Sequence, residues 1–162
     1  MKEKRAKALV KRGVAIRQVA VLPFRRSAEG ELSLLLMTSR QTRRFVIPKG
    51  WPMAGKPDWK AAALEAKQEA GLLGSTDHEP LGAYRYWKRL QSIFVPVHVS
   101  VYLLQVTEEL PRWRERGQRE RAWVSLEQAR MLIDEPELIT LIDTFEAAHA
   151  PAPTESGFSK PS

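Results

Sequence analysis

Residues 49–73 read KGWPMAGKPDWKAAALEAKQEAGLL, and the fold turns on them. The first nine residues are too rich in Gly and Pro for regular structure and form a loop. The next twelve are good helix formers that stop at Gly71, and Asp58 stands ahead of them as an N-cap. At 100° per residue, Asp58, Ala62, Glu65 and Glu69 fall in one narrow sector of that helix. Trp59, Ala63, Ala66 and Ala70 form a second, apolar sector suited to packing on a sheet, while Lys60 and Lys67 reach water from a third. Glu65 and Glu69 therefore sit one above the other, where like charges repel by roughly 0.2–0.5 kcal/mol in an isolated helix. The positions three or four away hold Ala61, Ala62, Gln68, Leu72 and Leu73, so the helix offers them no cation. A hard divalent ion such as Mg²⁺ takes carboxylate oxygens and keeps waters for a phosphate, and it would relieve this pair. On the helix alone, solvated surface glutamates or an arginine from elsewhere explain the pair equally well.

Working outward, residues 14–24 (VAIRQVAVLPF) are apolar and β-branched and predict a strand. SAEGE is a turn, residues 32–39 a buried strand, RQTRR a polar turn, and FVIP a short extended piece. Beyond the helix, strands are predicted near residues 81–90, 93–106 and 122–124. SLEQARMLI opens a helix with a Ser cap and a Glu in the first turn, a capping-box arrangement. A last helix spans about residues 136–148. Residues 1–13 are a basic lead-in, residues 14–149 one domain, and residues 150–162 have a disordered tail's composition. Strands dominate, with one helix in the middle and one or two at the end, which predicts an α+β, sandwich-like fold.

The chain has 162 residues, 43% hydrophobic and 28% charged, ordinary for a globular protein with a proper core. It has no Cys, which excludes disulfides, thiolate catalysis and cysteine zinc sites and suits a reducing cytoplasm. Arg, Lys or Pro interrupts every apolar run before it is long enough to span a membrane, and the N-terminus lacks a secretory signal's apolar core. The net charge of +7 predicts an anionic partner: nucleic acid, an acidic membrane surface or a small polyphosphate.

The 49–73 segment resembles the Nudix box, in which Gly, five residues, Glu and seven residues precede Arg-Glu-hydrophobic-any-Glu-Glu-any-Gly-hydrophobic. Gly50, Glu65, Ala66, Glu69, Gly71 and Leu72 fall in register with it. Lys56, Leu64 and Gln68 depart from it, standing for the first Glu, the Arg and the first Glu of the pair. LLLMTSRQTRRFVIPKGW and ELPRWRERGQRERAWVSLEQA are similar to the segments around the box in the diphosphoinositol polyphosphate phosphohydrolase and diadenosine polyphosphate hydrolase branch.

The resemblance implies an α/β/α sandwich around a mixed sheet. It also implies a hydrolase that uses Mg²⁺ or Mn²⁺ to split a pyrophosphate bond in an anionic phosphorylated small molecule. Glu65 and Glu69 match the family's metal ligands, Gly50 matches the box's leading Gly in the segment whose backbone carbonyl commonly joins the metal, and Gln68 can coordinate the metal through a neutral amide oxygen. Glu120 is the candidate for a further catalytic carboxylate, with Glu115 next. Arg17, Arg40, Arg44, Lys49, Arg85 and Lys88 are candidates for gripping phosphate. On a strand, Arg85 and Trp87 share one face, and Tyr86 and Lys88 the other. A catalytically weak ligand sensor is the alternative that the three departures favour. RNA is a further anion that YRYWKRL would suit. His78, His98 and His149 match no ligand spacing and receive no role.

Overall fold

A computed structural model describes residues 1–40 and 42–149. The predicted tail, residues 150–162, lies outside them. The element order is α1 (Glu3–Lys11), β1 (Ile16–Arg26), β2 (Leu32–Thr38), β3 (Phe45–Val46), β4 (Lys49–Gly50), α2 (Asp58–Ala70), β5 (Leu72–Thr76), β6 (Gly82–Arg89), β7 (Phe94–Glu109), β8 (Arg121–Ser125), α3 (Leu126–Leu132) and α4 (Pro136–His149).

Strand β1 is apolar almost throughout because both of its faces are covered. Ile16, Ala20, Leu22 and Phe24 face one core, and Val19 and Val21 face the other. It pairs in parallel with β7 over Ile16–Phe24, while its pairings with β2 and β4 are antiparallel, so the sheet is mixed. The sheet runs β3-β2-β1-β7-β5, with β4 also on β1, β6 on β7 and β8 on β2. Helices α1, α3 and α4 cover one face and α2 covers the other, the expected α/β/α sandwich.

Several local expectations are corrected. Asp58 is not the N-cap: Pro57 caps the helix, and the Asp58 carboxylate in its first turn accepts from Arg17 Nη1 at 3.1 Å. Gly50 and Lys49 are not loop but a two-residue strand on β1. Strand β5 was unforeseen, since LLGST is short and carries no alternation. The capping box on α3 uses Gln128 rather than the neighbouring Glu: Ser125 Oγ accepts from the Gln128 N–H, and Gln128 Oε1 accepts from the Ser125 N–H. The sheet-facing side of α2 is Ala61, Ala62, Ala66 and Ala70, with Ala63 only half-buried.

Candidate active site

The site forms where the C-terminal half of α2 meets β4 and the segment before β8. Glu65 lies over the backbone of Gly50, so closely that a Cβ there would stand 2.2 Å from its carboxyl carbon. Any side chain at Gly50 would push the Glu65 carboxylate out of this position. Among the described residues, Glu65 makes no hydrogen bond or ion pair. Burial, then the nearby Glu69 and Glu115 carboxylates, push its pKa up from 4.5 to about 7.

Glu69 is buried, 8% exposed. Its Oε1 accepts from the Lys49 backbone N–H at 3.0 Å, and its Oε2 from Arg119 Nη2 at 3.3 Å. Burial raises its pKa, opposed chiefly by the Arg119 charge. Arg119 also donates through Nε to Glu115 Oε1 at 3.1 Å and through Nη1 to the Thr38 carbonyl at 3.3 Å. One guanidinium thus ties two carboxylates, and all three side chains are less than a fifth exposed. Arg119 is the cation the helix itself did not supply.

Glu115 is held by the end of the helix. The last four carbonyls of an α-helix have no partner within it. Here the Lys67 carbonyl accepts from the Gly71 N–H, Gln68 from the Glu115 N–H, Glu69 from Trp113 Nε1, and Ala70 from Arg121 Nη1. Gly71 closes the helix in the left-handed region at φ 66°, and the Trp113 ring fills the space a Cβ would need. The Gly71 carbonyl then accepts from Leu110 at 2.8 Å.

Of the expected residues, the structure brings Glu65, Glu69 and Gly50 together with Glu115, the second candidate for the further carboxylate. Glu120 lies elsewhere: its side chain is 79% exposed and pairs with Arg43 at 3.7 Å. Strand β8 begins one residue later, and Glu120 faces outward there. Gln68 lines a shallow cleft of about 200 Å³ with Leu64, Lys67 and Trp113.

Among the expected phosphate-gripping residues, Lys49 and Lys88 face the carboxylates. Glu69 and Arg119 bear on the charge of both, and Arg40 stands 3.8 Å from Glu115. Burial lowers the Lys49 pKa to about 8, and its ammonium stands 5.2 Å over the Tyr86 ring. Tyr86 in turn donates to buried Gln18 at 2.5 Å. Arg44 sits at the rim on Asp134, and Arg17 on Asp58. Arg85 lies on the outer face of β6, 73% exposed and bound to Glu137 at 3.1 Å.

The three histidines stay apart: His78 stacks on Trp59, His149 on Phe145, and His98 pairs across from Arg85. Sequence reasoning missed Arg119 and ranked Glu115 second. Their four-residue spacing was the available signal.

The donor chemistry suits a hard divalent cation: three clustered carboxylates, of which Glu65 is unpaired among the described residues. Among the described residues no three His, Cys, Asp or Glu side chains already stand in ligand geometry, and Arg119 holds both Glu69 and Glu115.

The family profile for the NUDIX domain matches residues 16–145. Nudix hydrolase 13, mitochondrial, of Arabidopsis thaliana is 30% identical over 107 residues, 62% of this chain and 53% of that one. Diphosphoinositol polyphosphate phosphohydrolase 2 of Rattus norvegicus is 31% identical over 115 residues, 70% of this chain and 60% of that one. The chain thus spans roughly half the length of the first of these and three-fifths of the second. A crystal structure of the C. elegans Ap4A hydrolase binary complex superposes with a TM-score of 0.62 at 21% identity, covering 83% of this chain and 97% of that one, a likeness of fold. A profile match over most of the chain, on the fold and the carboxylate cradle described above, means that this protein belongs to the Nudix family.

Proposed function

We propose that the protein is a metal-dependent hydrolase that splits a phosphoanhydride bond in an anionic phosphorylated small molecule. The observation that carries this reading is Glu65: a half-buried carboxylate with no partner among the described residues, pressed onto Gly50 and crowded by two others. Glu65, Glu69 and Glu115 would hold Mg²⁺ or Mn²⁺, with the Gly50 segment beneath. Such an ion neutralises phosphate charge and activates water. The chain's own residues do the rest. Arg119 fixes the rotamers of Glu69 and Glu115, replacing the cation missing at Leu64. The Lys49 N–H holds Glu69 from the strand side, and Lys49, Lys88 and Arg40 present positive charge to phosphate.

Diphosphoinositol polyphosphates, diadenosine polyphosphates and other nucleoside diphosphate derivatives are the proposed substrates. The names of two similar proteins, a diphosphoinositol polyphosphate phosphohydrolase and an Ap4A hydrolase, support the first two. A catalytically weak ligand sensor is the second reading, favoured by Arg119 already occupying two of the three carboxylates. Among the described residues no helix is long and apolar enough to cross a membrane. The cytoplasm is the proposed compartment, and a fluorescent fusion would distinguish it from the mitochondrion named for Nudix hydrolase 13.

The test is phosphate or nucleotide release from these compounds and ADP-ribose, with Mg²⁺, then Mn²⁺, then chelator, and Glu69→Gln as control. Turnover that needs metal and collapses at least about 100-fold in the control supports the hydrolase. Tight binding without turnover supports the sensor.

A further inference from the structure

Leu64 and Gln68 are two of the three departures from the box, and they stand four residues apart on α2. The box places an Arg and a Glu at these positions, a spacing at which opposite charges pair along a helix. Here both positions are neutral, and both line the shallow cleft of about 200 Å³ beside α2. Lys67 joins them from the helix, and the segment before β8 contributes Arg112, Trp113 and Arg114.

The two walls are tied to each other. Trp113 Nε1 donates to the Glu69 carbonyl, and the Glu115 N–H donates to the Gln68 carbonyl, each at 3.1 Å. The Arg121 guanidinium stands 4.0 Å over the Trp113 ring. The cations of the cleft are unanswered. Arg40, Arg119 and Arg121 each have a carboxylate partner, whereas Lys67, Arg112 and Arg114 make no ion pair among the described residues. Among the described residues no acid lines the cleft. Arg114 nevertheless bears on the charge of Glu65, so the cleft neighbours the carboxylate cluster without sharing its side chains.

We propose that this cleft binds a phosphate group, gripped by Lys67, Arg112 and Arg114 and admitted by the neutral Leu64 and Gln68. Guanidinium groups grip phosphate oxygens in pairs, and the lysine adds a point charge. The volume lies below the roughly 300–1,000 Å³ of pockets that enclose a whole small molecule, so the cleft takes one phosphate rather than a nucleotide. A Glu at position 68 would set a like charge against the incoming anion. The departures at positions 64 and 68 thus open an anion site instead of marking decay. A distal phosphate of the substrate and a free phosphate compound offer the same chemistry. The first of these sources rests on the hydrolase reading above.

The test is isothermal titration of the full chain with tripolyphosphate in metal-free buffer. Wild type binds it. Lys67→Glu with Arg112→Glu weakens binding at least about tenfold, and Gln68→Glu weakens it in the same direction. Lys4→Glu with Lys11→Glu, exposed on α1, changes the net charge equally and leaves affinity within about twofold. Lys67 and Arg112 are exposed as well, and an unchanged denaturant midpoint confirms that their reversal leaves the fold intact. No binding by wild type, wild-type affinity in the Lys67 and Arg112 variant, or equal loss in the two double variants overturns the cleft. The same proteins are assayed on diadenosine tetraphosphate with Mg²⁺. Where the Lys67 and Arg112 variant has lost tripolyphosphate binding, a raised KM assigns the phosphate to the substrate, and an unaltered KM assigns it to a free phosphate compound; either supports the cleft. Metal-dependent hydrolysis with equal tripolyphosphate binding in all proteins removes the cleft and leaves the hydrolase. Variant-sensitive tripolyphosphate binding without hydrolysis of any compound supports the cleft and removes the hydrolase.

Discussion

The two sides of the sheet are packed by different means. Beneath α3 and α4 the space is filled by large side chains, with Leu22, Leu34, Leu138, Ile142 and Phe145 fully buried. Beneath α2 the buried apolar residues that the helix contributes are alanines, Ala61, Ala62, Ala66 and Ala70, each at most 1% exposed, with Trp59 partly buried beside them. Helix-to-sheet spacing follows the size of the residues at the contact, so alanines bring α2 close. That closeness lets Glu69 reach the Lys49 backbone and lets Glu65 lie on Gly50. One side is built for stability and the other for position.

The largest test of this contrast is Phe145→Ala. The ring is fully buried and packs on Phe24 with centroids 5.0 Å apart. Its loss costs about 3–5 kcal/mol, read as a shift in denaturant midpoint, while hydrolysis per folded molecule is retained. A parallel loss of activity among folded molecules would break the division of labour.

Next is Ala66→Leu, which overpacks the close side. We expect a loss of about 1–3 kcal/mol together with a fall in turnover out of proportion to it, because α2 must move outward and carry Glu65 and Glu69 with it. Unchanged kcat in a destabilised protein would show that the alanines set no position.

Smaller effects come from pH. The folded protein keeps the Glu65 proton up to about pH 7, whereas the unfolded chain releases it near 4.5, so the folded state binds more protons in that window. Metal-free stability therefore falls as pH rises from about 4.5 to about 7, by less than the full shift implies because water reaches this half-exposed group. Lys49 has the opposite sign: its folded pKa of about 8 lies below 10.5, so its contribution rises with pH between those values. Melting temperatures from pH 5 to 7.5, with and without Mg²⁺, check the first. A flat metal-free profile would remove the carboxylate crowding on which the site reading depends.

The smallest effect is Arg85→Ala, an exposed pair on the outer face of β6, worth less than about 1 kcal/mol. KM is expected to be unchanged. A raised KM would return Arg85 to the binding surface.

Much of this was legible in the chain because it is local. The 3.6 period put Glu65 and Glu69 on one face, Gly71 ended the helix, and the two-residue period of YRYWKRL separated inward Tyr86 and Lys88 from outward Arg85 and Trp87. What was not legible depends on distant pairing. Glu115 and Glu120 both stand among arginines in the sequence, and only long-range contacts separate them: the end of α2 and Arg119 hold Glu115 inward, while Glu120, just ahead of β8, turns to solvent on Arg43. Arg119 answers a question posed fifty residues earlier, across a contact that no local pattern encodes. Strand β5 exists because β7 offers it an edge, with a register shift at Gly74, and its five residues alone would not declare it.

The capped end of α2 has a consequence for the order of folding. The helix can form early from local contacts, with Glu65 and Glu69 already in place along it. The third carboxylate and the arginine come from residues that meet the helix only after the chain between Gln68 and Glu115 has closed on itself through β5, β6 and β7. Closing so long a segment is entropically slow compared with winding a helix. The helix by itself therefore carries a pair of acids and no finished site, and the capacity for chemistry depends on the long-range contacts that bring Glu115 and Arg119 to it.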